Sequence, residues 1–165
     1  MPEPGKIPAR PTTDRARESL FNILAVRYSL EDAVVLDLFA GTGAVGAEFV
    51  SRGAAKLVAI EQDAKSAMFI KMLFKKLHFE GAEVIVADVF KIIQKLEKES
   101  FDFVFADPPY HLPQIVSLPT VIKDSVLLKA GGLFVLEHGK NSVLPSENQI
   151  DQREYGQSVF SFYSY

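Results

Sequence analysis

Hydrophobic residues in this chain occur in short continuous runs that alternate with segments of helical spacing. Five runs of strand length are bounded by glycine, proline or acidic residues, and segments with apolar residues at intervals of three and four lie between them. Such alternation is typical of an α/β protein with a doubly wound, mostly parallel sheet and helices on both faces. The predicted strands are residues 34–39, 56–60, 83–87, 101–106 and 133–137.

The two ends of the chain depart from this alternation. The first eleven residues contain four prolines and predict an extended arm, which leads into a helix with Leu20, Phe21 and Leu24 on one face. The last two strand-like runs have no helix between them, so they predict an antiparallel hairpin on the sheet edge and bring the sheet to seven strands. We predict a single domain, 1–165, made of an arm (1–11), an N-terminal helix (12–28) and a Rossmann-like core (33–165) that closes with hairpin strands 149–155 and 158–165.

The fourth predicted strand ends in an acidic residue, two prolines and an aromatic residue, Asp107-Pro108-Pro109-Tyr110. Proline lacks a backbone donor and fixes φ, so the two prolines end the strand and stiffen the turn that follows. Ligands of open parallel sheets bind at the carboxyl ends of the strands. Because an ordinary strand-ending turn contains the same residue types, the functional interpretation of this corner depends on its neighbours.

A glycine-rich loop follows the first strand. The sequence Gly41-Thr42-Gly43-Ala44-Val45-Gly46 matches G-x-G-x-x-G between a predicted strand and a predicted helix, and Glu61 lies twenty residues beyond Gly41, where an acidic residue can meet ribose hydroxyls. Two cofactors fit this pattern. One is a nicotinamide dinucleotide, whose pyrophosphate would bind at the helix N-terminus. The other is S-adenosylmethionine, which carries a methionine group in place of the phosphates.

Two further acidic residues bear on the choice of cofactor. Asp37 lies inside the first strand, where a carboxylate would repel a pyrophosphate but attract an ammonium group such as that of the methionine moiety. It could instead bond the amides of the glycine loop. Asp88 ends the third strand and could accept a hydrogen bond from an adenine amino group, with Val89 or Phe90 against the ring, while it caps the next helix. Since Glu61, Asp88 and Asp107 all end strands, we expect them on one rim of the sheet.

Composition and charge narrow the class of protein. The 165 residues are 48% hydrophobic and 24% charged and include no cysteine, which predicts a compact intracellular domain and excludes thiolate metal sites and cysteine nucleophiles. No apolar run approaches the roughly 20 residues of a membrane span. The net charge of −3 argues against a general polyanion binder, although residues 1–27 hold five basic and three acidic side chains. We predict a soluble cytoplasmic monomer with no metal site and no membrane partner.

The corner at Asp107 suits methylation of an amine attached to a nucleobase. Such a nitrogen is a poor nucleophile because its lone pair is delocalised into the ring, so both of its N–H bonds need acceptors before the lone pair can turn toward a methyl donor. The Asp107 carboxylate and the Pro108 carbonyl can supply these acceptors, and Tyr110 can stack on an extruded base. The contribution of the protein would be orientation, which can lower a barrier by about 7 to 11 kcal/mol.

Three segments together resemble the bacterial RsmD-type methyltransferases of 16S ribosomal RNA, which methylate the 2-amino group of a guanine. The acid-proline-proline-aromatic motif alone is shared by adenine, guanine and glutamine amino methyltransferases, whereas its combination with an Arg-Pro-Thr segment is more specific. The resemblance extends from about residue 9 to the closing hairpin. The segments are Arg10-Pro11-Thr12-Thr13-Asp14-Arg15 with Arg17-Glu18, Leu36-Asp37-Leu38-Phe39-Ala40-Gly41-Thr42-Gly43, and Asp107-Pro108-Pro109-Tyr110.

This resemblance implies a role for each group of candidate residues. The four residues from Asp107 to Tyr110 would hold the target base. The Arg-Pro-Thr segment and its helix would lie over the cofactor pocket and face 16S ribosomal RNA, either naked or in a partly assembled small subunit. The predicted S-adenosylmethionine contacts are Asp37, Phe39, Gly41, Thr42, Gly43, Glu61, Gln62, Asp88 and Val89, and the predicted RNA contacts are Arg10, Thr12, Arg15 and Arg17.

Several alternatives stay open at this point. Within the same chemistry, the substrate could be the 6-amino group of adenine or a protein glutamine. Outside it, the chain could be a nicotinamide-dependent oxidoreductase or a noncatalytic assembly factor that binds S-adenosylmethionine. Cofactor binding distinguishes the oxidoreductase from the others, and loss of methyl transfer in a variant of Asp107 distinguishes the enzyme from the assembly factor.

Overall fold

The computed structural model describes residues 13–165, so the predicted arm, with Arg10 and Thr12, lies outside the described residues. The strands are β1 (Val34–Leu38), β2 (Lys56–Glu61), β3 (Ala82–Val86), β4 (Phe101–Ala106), β5 (Leu128–Gly139), β6 (Gln149–Tyr155) and β7 (Ser158–Tyr163). The helices are α1 (Asp14–Arg27), α2 (Ala44–Ser51), α3 (Ala64–Lys76), α4 (Val89–Ile92) and α5 (Leu118–Ser125), with 3-10 turns at Ile93–Lys95 and Pro113–Ser117.

The seven strands form one sheet in the order β3-β2-β1-β4-β5-β7-β6. Strand pairs among β1 to β5 are parallel, whereas β7 is antiparallel to both β5 and β6. The predicted doubly wound, mostly parallel sheet with a C-terminal hairpin is therefore confirmed. The strand order changes direction between β1 and β4, which is the point at which ligands of such sheets bind. None of the helices in residues 13–165 is long and apolar enough to cross a membrane.

Both faces of the sheet are covered, as the continuous apolar runs of its parallel strands require. Successive residues of a strand point to opposite faces, so Val35 of β1 joins one core while Leu36 joins the other. The first core brings α1, α2 and α3 together through Leu20, Phe49 and Ile70. The second core packs the segments around α4 and α5 against the other face.

Helix α1 forms the N-terminal part of the described chain and packs on the first core. Thr13 caps it by accepting a hydrogen bond from the Ala16 amide at 3.2 Å. The apolar face predicted from the sequence is fully buried at Phe21 and Leu24, and the Phe21 ring meets the Phe49 ring of α2 edge-on at 4.7 Å. Packing against α2 fixes α1 over the same face of the sheet as the glycine loop.

Several element boundaries differ from the prediction, three of them for a clear local reason. Strand β5 begins at Leu128 rather than at residue 133, because the Gly131–Gly132 pair forms an irregularity inside the strand and not a turn before it. The helix predicted at about 120–128 ends earlier, at Ser125, since Val126 adopts a φ of +54° that a helix cannot continue. The helix predicted after Asp88 has only four α-helical residues before it tightens into a 3-10 turn.

Candidate active site

Acidic residues occupy the carboxyl ends of neighbouring parallel strands. In register, Leu38 of β1 pairs with Ala106 of β4, and Ala106 pairs with Leu136 of β5. The residues that follow, Asp107 and Glu137, therefore lie side by side on the same rim as the glycine loop. The rim predicted from Glu61, Asp88 and Asp107 is present, and Glu137 is an additional member that the sequence analysis did not single out.

Glu61 ties the glycine loop to the end of β2. Its Oε2 atom accepts a hydrogen bond from the Gly41 amide at 2.7 Å, and its Oε1 atom accepts one from the Asp63 amide at 2.9 Å. Gly41 and Gly43 have φ values of +57° and +77°, and a Cβ at Gly43 would lie 3.2 Å from the Ile70 side chain. The loop thus needs glycine for its backbone and for its close approach to α3.

Asp37 is a buried carboxylate beside this loop, with only 2% of its surface exposed. The Gly46 amide donates a hydrogen bond to it, and its Oδ2 atom has no hydrogen-bond partner among the described residues. Burial raises the pKa of Asp37 to about 7; the Gly46 amide acts in the opposite direction, and the charge of Glu61 adds to the increase. One oxygen of Asp37 therefore bonds the glycine-loop segment at Gly46, and the other is available to a cationic group.

The remaining predicted cofactor contacts lie around the loop and the end of β3. Phe39 has a φ of +58°, which is an outlier for a bulky residue and is characteristic of functional sites. Its ring meets the Phe90 ring edge-on at 6.3 Å. Asp88 caps α4 by accepting a hydrogen bond from the Lys91 amide at 3.2 Å. Of the others, the Thr42 hydroxyl accepts from the Ala44 amide at 3.4 Å, Gln62 is exposed and Val89 is buried.

The Asp107 corner, residues 107–110, is hydrogen-bonded to β5 and to the C-terminal hairpin through Tyr110. Asp107 is half-buried and Pro108 is buried. The Tyr110 hydroxyl lies 2.8 Å from the Ser158 hydroxyl and donates to Glu137 Oε1 at 3.4 Å. Burial is the main cause of a raised Tyr110 pKa, and the nearby charges of Glu137 and Asp107 raise it further, so Tyr110 stays a neutral hydrogen-bond donor. The stiff corner predicted from the two prolines is thus held by contacts from distant parts of the chain.

A pocket of about 420 Å³ opens beside this corner. It lies between the first turn of α1, the Asp107 corner, the end of β5 and the tip of the hairpin. Another pocket, of about 350 Å³, lies at the opposite edge of the sheet near Asp102 and Lys129, away from the acidic rim. The residues that line the pocket at the corner are Thr13, Arg15, Ala16, Tyr110, Glu137, Glu154, Tyr155, Gly156, Gln157 and Ser158.

The predicted RNA contacts that the structure describes lie on α1. Arg15 is exposed and lines the pocket beside the corner, whereas Arg17 pairs with Asp14 at 2.8 Å on the helix surface. Two pocket residues that contact the Tyr110 hydroxyl, Glu137 and Ser158, were missed in the sequence. Glu137 could have been found, because it closes the fifth apolar run much as Asp107 follows the fourth.

Comparison with known proteins agrees with this geometry. Residues 3–164 match the family described as Conserved hypothetical protein 95. The chain is 35% identical over 147 residues to the Ribosomal RNA small subunit methyltransferase D of Escherichia coli, a match that covers 88% of this chain and 72% of that protein. It is 32% identical over 160 residues to the protein of the same name from Haemophilus influenzae, covering 94% and 82% respectively. The solved structure of a hypothetical protein from Thermus thermophilus superposes with a TM-score of 0.83 at 32% identity, covering 95% of this chain and 89% of that chain.

Proposed function

Because the chain belongs to the family of RsmD-type ribosomal RNA methyltransferases, described as Conserved hypothetical protein 95, we propose that it is a methyltransferase of small-subunit ribosomal RNA that uses S-adenosylmethionine. The resemblance predicted from its sequence is thereby confirmed. We further propose that the methylated atom is the exocyclic 2-amino nitrogen of a guanine in 16S RNA. The observation that carries the proposal is the Asp107-Pro108-Pro109-Tyr110 corner, beside the glycine loop at the switch point of the sheet.

The residues around the glycine loop fit S-adenosylmethionine better than a nicotinamide dinucleotide. The buried Asp37 carboxylate has an unpartnered oxygen that suits the ammonium group of the methionine moiety. Glu61 already holds the Gly41 amide, so two carboxylates would face a pyrophosphate at this loop. When bound, S-adenosylmethionine supplies an electrophilic methyl group. Asp88 would accept from the adenine amino group, and the remaining lone pairs of Glu61 would accept from the ribose hydroxyls.

At the corner, the protein orients the amine that is methylated. The Asp107 carboxylate and the Pro108 carbonyl would each accept a hydrogen bond from one N–H group of the target amine. The amino nitrogen can then become pyramidal, so that its lone pair is no longer delocalised into the ring. After transfer the nitrogen carries one proton too many, and the Asp107 carboxylate would take that proton or pass it to solvent. Tyr110, 36% exposed, offers the open part of its ring to the extruded base.

Methylation mapping tests the proposed reaction. We expect 16S RNA from a strain that lacks this protein to lose one N2-methylguanosine, and the purified protein with S-adenosylmethionine to restore it on small-subunit particles from that strain. Mass spectrometry of nuclease digests identifies both the base and the position. A restored N6-methyladenosine, or a methylated protein in place of RNA, would replace guanine as the substrate while leaving the methyltransferase proposal intact.

Arg15 offers a test of the RNA-binding side of the site. Replacing this exposed residue with alanine removes one cation from the pocket beside the Asp107 corner, where we propose that the RNA binds. We expect affinity for small-subunit RNA to fall by about three- to tenfold at 100 mM salt, and the slope of log K against log [salt] to decrease by about 0.7 to 0.9. The measurement is a binding titration at several salt concentrations.

The matched control for Arg15 is Lys98→Ala. Lys98 is also exposed and basic, but it lies in the turn that precedes β4, at the opposite rim of the sheet. The Lys98 variant should keep the wild-type salt slope. If both variants lower the slope equally, or neither does, Arg15 belongs to the general solvated surface and not to an RNA contact.

A further inference from the structure

Glu137 is a rim carboxylate to which the proposed methyl transfer assigns no role. Only 2% of its surface is exposed, yet it lines the pocket beside the Asp107 corner. Burying a carboxylate away from water is costly, and such groups are retained where they accept hydrogen bonds from a specific partner. The Tyr110 hydroxyl donates to Glu137 Oε1 at 3.4 Å, which holds the carboxylate at the wall of the pocket.

Glu137 lies next to Asp107 along the rim of the sheet, as two acceptors for one edge of a purine would have to lie. Since Ala106 and Leu136 are register partners in parallel strands, Asp107 and Glu137 follow on adjacent strands, whose spacing is about 4.8 Å. The Watson–Crick edge of guanine presents two neighbouring donors, N1–H and the 2-amino group. In adenine the corresponding N1 atom is an acceptor. Two adjacent carboxylates therefore complement guanine and oppose adenine.

We propose that Glu137 reads the N1–H of the target guanine while Asp107 holds the 2-amino group that is methylated. This inference rests on the proposed function, because it assumes a purine amine at the Asp107 corner. It makes the rim between Asp107 and Glu137, at the edge of the pocket that Glu137 and Tyr110 line, a guanine-specific base site. Glu137 then acts as a specificity residue, and its contact with the Tyr110 hydroxyl sets the carboxylate at the base edge.

The alternative role of Glu137 is purely structural. In that case its contacts within the protein, among them the one to Tyr110, would be its whole role; the Tyr110 hydroxyl also lies 2.8 Å from the Ser158 hydroxyl. A loss of activity in a Glu137 variant does not separate the two roles, because a displaced Tyr110 also lowers activity. A readout that depends on the N1 atom of the base does separate them.

The test compares guanine with 2-aminopurine, which keeps the 2-amino group but has an N1 acceptor in place of the N1–H. The nucleotide that the wild type methylates is first mapped, and 16S RNA with either base at that position is prepared by splinted ligation. It is presented in the form that the wild type accepts. We expect the wild type to prefer guanine in kcat/KM by on the order of 10- to 100-fold. Glu137→Gln, which can donate to an N1 acceptor, should reduce this preference to within about threefold.

Ser158→Ala is the matched control, because it also removes a contact of the Tyr110 hydroxyl but carries no charge toward the base. Its preference for guanine should stay at the wild-type value whatever its activity. A wild type that methylates both bases equally overturns the inference without any variant, and so does a Glu137→Gln preference equal to that of the wild type. If the wild type produces no N2-methylguanosine at all, the proposed function itself fails, which is a distinguishable result.

Discussion

Replacing Asp107 with alanine should lower kcat for methyl transfer at least about 100-fold while affinity for S-adenosylmethionine stays within a few fold. The expected loss follows from the chemistry of the substrate, since an aromatic amine reacts only when its N–H bonds are held by acceptors. Asp107 lies at the end of β4, which is next to β1, the strand of Asp37. Glu61 is farther away, because its strand β2 lies on the other side of β1. The cofactor contacts should therefore survive the substitution. Single-turnover kinetics with small-subunit particles, together with calorimetry, measure the two quantities separately.

Two further variants sharpen this test. Asp107→Asn keeps one oxygen acceptor but loses the charge, so we expect an activity between those of the wild type and the alanine variant. Asp124→Ala removes an exposed acidic residue from α5 and controls for the change in net charge; its activity should equal that of the wild type. An alanine variant of Asp107 with wild-type turnover would remove this residue from the mechanism and favour a noncatalytic protein that binds the cofactor.

The parts of the site that follow from local chain chemistry were predictable from sequence. Gly41 and Gly43 adopt positive φ in the loop between β1 and α2, as the spacing of the glycines indicates. Pro108 and Pro109 end β4 because neither can continue the ladder. In each case the structure is determined within a few residues, so the sequence pattern and the backbone geometry correspond closely.

The parts that depend on contacts distant in sequence were not predictable. Glu137 becomes a pocket residue only because β5 pairs with β4 in one register, and the irregularity at Gly131–Gly132 contributes to that register. The tip of the hairpin reaches Tyr110 across 48 positions of sequence. Neither relation has a local pattern from which it could be inferred.

Glu61 shows a different limit of sequence reasoning. Its distance of twenty residues from Gly41 predicted a ribose contact, and the structure shows it bonded to the Gly41 amide at 2.7 Å. The two roles need the same placement, because a carboxylate that holds the loop also faces whatever the loop binds. The spacing therefore locates Glu61 correctly. Which of its hydrogen bonds come from the loop and which from a ligand depends on the geometry of the side chain, which the spacing does not contain.

The pH dependence of cofactor binding should report the role of Asp37. Its folded-state pKa is raised from 3.8 to about 7, so the protonated form is favoured in the fold, and the stability that this form contributes is lost as pH rises from about 4 through about 7. An ammonium group reverses this preference by pairing with the ionised form. Wild-type affinity for S-adenosylmethionine should then rise by up to about tenfold per pH unit below 7 and level off above it.

Asp37→Asn removes this titration while keeping an oxygen for the Gly46 amide. We expect it to bind S-adenosylmethionine on the order of 100-fold more weakly at pH 7.5, with little dependence on pH between 5 and 7.5. Its stability relative to the wild type should improve by a few kcal/mol between pH 4 and pH 8, because the wild-type carboxyl is ionised in the unfolded chain in that range and must either take up a proton or bury its charge on folding. Calorimetric titrations and thermal unfolding measure the two effects, with Asp124→Asn as an exposed control. If stability changes as expected but affinity does not, Asp37 serves only the amides of its own loop, and the cationic end of the cofactor is held elsewhere.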